Sequence, residues 1–377
     1  MPARPVLFVD HADALGGAEK ILLLLLEYLD RDRFTPHLVA PRGALTAAAR
    51  RLDVTVHERV LARLRGVPTA PWRLARTVVP LAQLAWRERI AVICAHSVRA
   101  SVYAGAAAAL ARRPFLWHLH EPAPPGIYGR LLCALSDVAI AVSAAVGRDV
   151  PCRHKVRVIH NGIRAADFAG DHRERATRLR ATWGVPPGAV LIGQVARLQP
   201  WKGQRDVIAA AEILLRDHPD AYVAIIGGDI FGDAGAYERE LKAHVAQRGL
   251  SRRVLFTGHQ EDIPAVLSAL DILVHASTAE PFGTILLEAA AAGVPMVAYA
   301  GGGVPELLTH AESALLVPQG DYAGLAAALA RLLSDRDLAG TLSTAARAWV
   351  LQHFDIRETV RRIQDLLESL LVTASAS

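Results

Sequence analysis

The sequence predicts an α/β protein built from two tandem doubly wound domains. Three observations carry that reading. Short apolar runs without polar alternation, as a buried parallel strand requires, recur between stretches of helical period. The series runs to about residue 160 and restarts near residue 190. A length of 377 residues is also more than twice the ~150 typical of one domain.

Taken in order, Pro5–Asp10 (PVLFVD) is the first strand, Ala18–Leu29 a helix, and Thr35–Ala40 (TPHLVA) the second strand. Ile90–Ala95 (IAVICA), Pro114–His120 (PFLWHLH), Asp137–Ser143 (DVAIAVS) and Lys155–His160 (KVRVIH) complete the first series. Val190–Ala196, Tyr222–Gly227, Val254–Gly258, Ile272–His275 and Pro295–Tyr299 form the second. Strands separated by helices imply a parallel sheet covered on both faces, with ligands at the carboxyl ends of the strands. Two such edges facing one another would make a cleft. The expected division is a first domain over 1–166, a linker over 167–187 ending in Val-Pro-Pro-Gly, and a second domain over 188–354. A C-terminal helix, 355–377, is expected to pack back on the first domain.

Composition narrows the function. Hydrophobic residues make up 52% and charged residues 21%, too apolar for disorder. The purest apolar runs, Ile21–Leu26 and Val102–Ala111, fall short of the ~20 residues of a membrane span. Asp10 interrupts Val6–Val9 too early for a signal peptide. Three widely spaced cysteines (Cys94, Cys133, Cys152) argue against a disulfide scaffold or a cysteine-rich zinc site, and point to a reducing cytoplasm.

Charge is divided unevenly. Residues 1–170 carry 23 basic and 13 acidic side chains, net +10; residues 171–377 carry 19 and 24, net −5. A basic first half is attracted to an anionic partner. Nucleic acid is the weaker choice, because no finger spacing, aromatic-and-glycine RNA motif or basic tail is present. The stretch 61–90 holds six arginines, one acid (Glu88), Trp72 and Trp86. It suits either an amphipathic helix on an anionic membrane surface or a sheet-covering helix with solvated arginines.

Several residues could carry chemistry. Gly16-Gly17 precedes the first helix, where bare backbone amides and a helix N-terminus favour an anion, although an ordinary tight turn needs glycine as well. Arg197 and Lys202, five residues apart at a strand-to-helix loop, suit a diphosphate, or are two solvated cations. Glu280 and Glu288 flank the start of a helix placed near Phe282. Eight residues is slightly over two turns, which would bring them to nearly one face, to accept hydroxyls from two sugar rings. Gly283 and Thr284 would offer first-turn amides to phosphate. The plain alternative is one acid complementing the helix dipole and one unrelated. His118 and His120 point to one side of a strand, yet no third metal ligand is evident, so no metal is expected. Asp30-Arg31-Asp32 and Asp335-Arg-Asp337 sit at helix ends in charged surface stretches and are read as chance.

Together these residues resemble the retaining glycosyltransferases of family four, which have the two-Rossmann GT-B architecture. The resemblance spans nearly the whole chain. It runs through Gly16-Gly17-x-Glu19, the strand ending at His120, Asp137–Ser143, Val158-Ile-His-Asn161-Gly162, Arg197 with Lys202-Gly203, Glu280/Glu288, and Gly302-Gly303-Val-Pro-Glu306. The ordered combination is specific and each piece alone is not.

The resemblance implies that Arg197 and Lys202 hold the diphosphate of a UDP-, GDP- or ADP-sugar without a metal. It implies that Glu280 contacts the transferred sugar, that Glu288 grips the ribose, and that Gly16-Gly17 approaches the diphosphate or sugar. His120 would be the histidine near the reacting carbon. The acceptor would be a hydroxyl, lipid-linked in some relatives. Arg164 stands where the family commonly has aspartate, a departure touching a hinge or acceptor contact. Asn161-Gly162 would be a turn near the hinge, using positive φ at the glycine. The competing readings are a silent subunit acting as a binding partner and a nucleotide-sugar epimerase. All four of Arg197, Lys202, Glu280 and Glu288 are present, whereas silent relatives usually lose one. Epimerases lack this pairing of motifs.

Overall fold

The computed structural model describes residues 3–62, 71–229, 232 and 235–376. The chain divides into two compact units, residues 1–162 with 356–377, and residues 163–355.

In unit 1, β1 (Arg4–Val9), β2 (Phe34–Ala40), β3 (Thr55–Glu58), β4 (Val92–Ala95), β5 (Phe115–Leu119), β6 (Val138–Ala141) and β7 (Val156–Val158) form one sheet in the order β3-β2-β1-β4-β5-β6-β7. Every pairing is parallel. Helices cover the faces. In Gly17–Tyr28, the residues Ile21, Leu22, Leu25 and Leu26 make a buried stripe at helical spacing. The helix Ile356–Ala376 repeats this with Ile356, Val360, Ile363, Leu367 and Leu371, all in the core of unit 1. Gln364 accepts from the backbone N–H of Asp30 at 2.7 Å, and Thr359 donates to the carbonyl of His160 at 3.0 Å. The last helix therefore closes unit 1 by burial, about 1.5–3 kcal/mol per large apolar side chain, and by specific polar contacts.

Unit 2 holds β8 (Val190–Val195), β9 (Ala221–Ile226), β10 (Val254–Gly258), β11 (Ile272–His275), β12 (Met296–Tyr299) and β13 (Leu315–Val317), in the order β10-β9-β8-β11-β12-β13. In each sheet the strand order reverses once, between β1 and β4 and between β8 and β11, which is where this architecture binds ligands.

Several details differ from the sequence expectation. β3 and β13 escape it because they are only four and three residues long, and β3 is a half-exposed edge. Residues 167–187 contain the helix Arg173–Thr182, which packs on the helix Ile263–Ser268, so this segment is part of unit 2. Gly162 is not among the glycines with positive φ, so the turn there does not depend on glycine's backbone freedom. One disulfide is present: the fold brings Cys133, in the helix Ile127–Leu135, against Cys152 before β7. A separation of 19 residues gives no hint of that approach, and the pairing does not follow from a reducing compartment.

Residues 63–70 of the basic stretch, with Arg63 and Arg65, lie outside the described residues, as do the side chains of Trp72 and Arg73. The remainder of the helix Pro71–Arg87 buries Val78, Leu81, Ala82, Leu84 and Ala85 and packs on the helix Val98–Ala111. Its apolar face is thus used within the fold, leaving Arg76, Val79, Trp86 and Arg87 outward. No helix among the described residues is long and apolar enough to cross a membrane.

Candidate active site

Unit 2 gathers most of the singled-out residues at the carboxyl edge of β8 and β11. After β8 the chain passes through Arg197, makes a single turn over Pro200–Lys202, and enters the helix Gln204–Asp217 at Gly203. Gly203 has φ of 73°, and a Cβ there would lie 2.0 Å from the carbonyl oxygen of Ala276. Only glycine permits this approach, which presses the Lys202 loop onto the segment after β11. Gln194 donates to the carbonyl of Lys202 at 2.6 Å, and Gln204 to that of Arg197 at 2.8 Å. Both loop residues are therefore held by buried amides.

Across from this loop stands Glu280. Lys202 Nζ lies 2.7 Å from Glu280 Oε2, and His275 Nε2 lies 3.0 Å from the same oxygen. Glu280 is 6% exposed and His275 2%. Burial opposes ionisation of Glu280, but the Lys202 ammonium and the contact with His275 outweigh it and hold the carboxyl well below the usual range. On Lys202, burial lowers the pKa, the Glu280 charge opposes that, and the nearby Arg197 cation adds to the lowering. Lys202 Nζ also sits 4.2 Å from the centre of the Trp201 ring.

The triglycine Gly301–Gly303 packs against the backbone of Glu280. Gly303 N–H donates to the Glu280 carbonyl at 2.9 Å, and a Cβ on Gly302 (φ 58°) would lie 2.0 Å from that oxygen. The helix Thr284–Ala292 starts after Gly283, which has φ of 100°. Glu280 thus precedes the helix, and the two-turn argument linking it to Glu288 fails, because helical spacing applies only inside a helix. Glu288, half-buried, lies within it. The N–H groups of Gly283 and Thr284 meet no acceptor among the described residues. Sequence reasoning missed His275. Its only local signal is a polar residue closing an otherwise apolar strand.

Unit 1 has its own edge cluster. Gly16 and Gly17 open the helix Gly17–Tyr28, and Gly16 N–H donates to Glu19 Oε2 at 2.8 Å. Asp10, fully buried after β1, accepts from the N–H groups of His11 and Ala12. Burial, aided by the Glu19 charge, raises its pKa to about 7. His120 follows β5, with ring centres 4.2 Å from His118 and 5.6 Å from His96. Burial lowers His120 to about 4 and both neighbours well below the ordinary value, so all three rings are neutral at pH 7. His96, which follows β4, is the third imidazole that sequence spacing could not supply. Arg164 pairs with Asp167 at 3.6 Å, and Asp335 caps the helix Arg336–His353, an ordinary structural use of that Asp-x-Asp.

Both halves of the chain match models of known families. The glycosyl transferases group 1 model matches residues 176–349, and the glycosyltransferase family 4 model residues 15–167. The lipopolysaccharide core biosynthesis mannosyltransferase LpsB of Rhizobium meliloti is 32% identical over 65% of this chain and 69% of its own length. A GDP-mannose-dependent phosphatidylinositol monomannoside mannosyltransferase of Mycolicibacterium smegmatis is 31% identical over 55% of this chain. That alignment covers 54% of the relative, and others span about half of theirs. Anabaena HepE, solved with UDP and glucose, is 28% identical with a TM-score of 0.86, covering 97% of this chain and 99% of that one. On these grounds, and with a two-sheet fold to match, the chain belongs to the family-four, group 1 glycosyltransferases of GT-B architecture.

Proposed function

We propose that the chain transfers a sugar from a nucleoside-diphosphate sugar to a hydroxyl acceptor with retention of configuration, in cell-surface polysaccharide or glycolipid assembly. The observation that carries this is the buried Lys202–Glu280–His275 arrangement beside Arg197. Lys202 has three donor hydrogens, of which Glu280 takes one. The others, with the Arg197 fork, suit a diphosphate and stabilise the charge that develops on the departing nucleotide. That is electrostatic catalysis by fixed cations in a partly dehydrated site, and it needs no metal at the diphosphate.

Glu280 spends only Oε2 on Lys202 and His275, so Oε1 is available to a sugar hydroxyl. Gly283 and Thr284 offer amides to phosphate, and Glu288 is assigned to the ribose. Unit 1 is read as the acceptor-binding unit, with His120 assigned to the neighbourhood of the reacting carbon and Gly16 and Gly17 to the donor's diphosphate or sugar. No carboxylate is assigned as a nucleophile, so a same-face, ion-pair-like route is favoured over double displacement. One relative is GDP-mannose-dependent and HepE is solved in complex with UDP-glucose, which makes UDP and GDP sugars the first to try. The net charge of the first half supports contact with an anionic membrane surface and a lipid-linked acceptor.

The test is slow hydrolysis of the donor sugar followed by proton NMR. Sugar released first as the donor's own anomer supports the reading, first release as the opposite anomer contradicts retention, and no cleavage of any nucleotide sugar favours a silent subunit.

A further inference from the structure

We propose that His96, His118 and His120 form a binding site for one divalent transition-metal ion of the zinc class, within unit 1 and apart from the diphosphate residues. Two adjacent strands, β4 and β5, fix the geometry: His96 leaves β4, His118 lies on β5, and His120 follows it. One ring nitrogen from each of the three lies within 4.8 Å of the others. His96 Nδ1 and His120 Nε2 stand 3.4 Å apart, within reach of a long hydrogen bond between the rings that a metal ion would replace. Two nitrogens at ~2.0–2.1 Å from one zinc ion in tetrahedral array lie about 3.3–3.4 Å apart, so this spacing is one edge of such a tetrahedron.

The second observation is independent of that spacing. His96 is 1% and His118 2% exposed, and neither ring nitrogen of His118 has a hydrogen-bond partner among the described residues. Buried polar atoms are ordinarily satisfied, and an imidazole lone pair without a donor is what a metal ion fills. The donor set selects the metal: three nitrogens and no carboxylate suit zinc, cobalt, nickel or copper, and do not suit magnesium or calcium. A fourth position would fall to water. The proposal does not depend on the glycosyl-transfer reading, although His120 belongs to both.

Cobalt(II) titration of the metal-free 377-residue protein tests it, because the intensity of the visible d–d bands reports low coordination number. One equivalent with an intense spectrum is expected, displaced by zinc, and lost in His118→Gln and in His96→Asn. His57→Gln, which alters the stacked His37–His57 pair elsewhere in unit 1, should leave binding intact. Retention of the signal in both His118→Gln and His96→Asn, its loss in His57→Gln, or no binding by the parent protein would overturn the site. X-ray absorption on the zinc-loaded parent protein guards against misfolded variants: a shell of about three imidazoles is expected, and a sulfur-containing or oxygen-only shell would overturn it.

Discussion

In unit 1 the carboxyl ends of β1, β4 and β5 hold three imidazoles kept unprotonated and an Asp10 whose pKa is lifted to about 7. In unit 2 the ends of β8 and β11 hold a charged set, Arg197 beside Lys202 bonded to an ionised Glu280. The backbone scaffolds are alike: parallel sheets, one reversal of strand order, and a glycine-led helix N-terminus at each edge. What differs is the pairing of buried groups. A buried acid with an adjacent ammonium stays ionised well into acid, whereas Asp10, where burial and the Glu19 charge outweigh its backbone donors and the Arg99 charge, titrates near 7. Charge at such an edge is therefore chosen by side chains, not by the fold.

The largest expected effect separates the two edges most clearly. Glu280→Ala removes the proposed sugar contact and leaves Lys202 without its ion-pair partner. Turnover should fall by about 10²–10³-fold and stability by about 3–5 kcal/mol, while nucleoside diphosphate still binds. Near-normal transfer in steady-state assays would remove Glu280 from the site. Next, Lys202→Ala should weaken the nucleoside diphosphate about tenfold or more, on the scale of one charged hydrogen bond, and the monophosphate less. Equal losses by calorimetry would argue against a phosphate role.

The two acids should also show opposite pH signatures. Asp10 has a folded pKa raised above its unfolded value of 3.8. Its contribution is full below pH ~4 and lost as pH rises through about 7, at a slope of up to ~1.4 kcal/mol per pH unit. Asp10→Asn should therefore gain Tm relative to the parent protein as pH climbs from 4 to 7. Glu280 has a depressed pKa, so its contribution is present above 4.5 and lost as pH falls. Glu280→Gln should converge on the parent protein in acid. Parallel pH profiles for both variants would erase the contrast.

The smallest effect concerns the halves' net charges, +10 and −5. Flotation with anionic vesicles should retain the protein at low salt and release it at high salt, since each basic residue near the surface is worth only about 1 kcal/mol. Equal recovery with neutral lipid would leave the first half's charge without a membrane role.

Legibility in the sequence followed the range of the interactions. Both series of buried strands and the glycines at Gly16–Gly17 and Gly203 are local patterns, and they were readable. Lys202 and Glu280 could be singled out by type and by place after a strand, but not as partners, since 78 residues separate them. His275 and His96 each close a strand whose neighbour is fixed only by sheet order, and sheet order is a property of the whole chain. The Cys133–Cys152 contact was hidden for the same reason. The mistaken link between Glu280 and Glu288 came from extending helical period to a loop, where the helix begins only at Thr284.

The most direct test of the charged edge as the donor site is a thermal-shift screen of the parent protein and Lys202→Ala against UDP, GDP, ADP and their sugar conjugates, with and without EDTA. The account predicts that one base class stabilises the parent protein, by about 2.7 kcal/mol at a hundredfold excess over Kd. EDTA should leave that stabilisation intact, and Lys202→Ala should diminish it. Stabilisation by none of the nucleotides, or only in the presence of added magnesium, would contradict it.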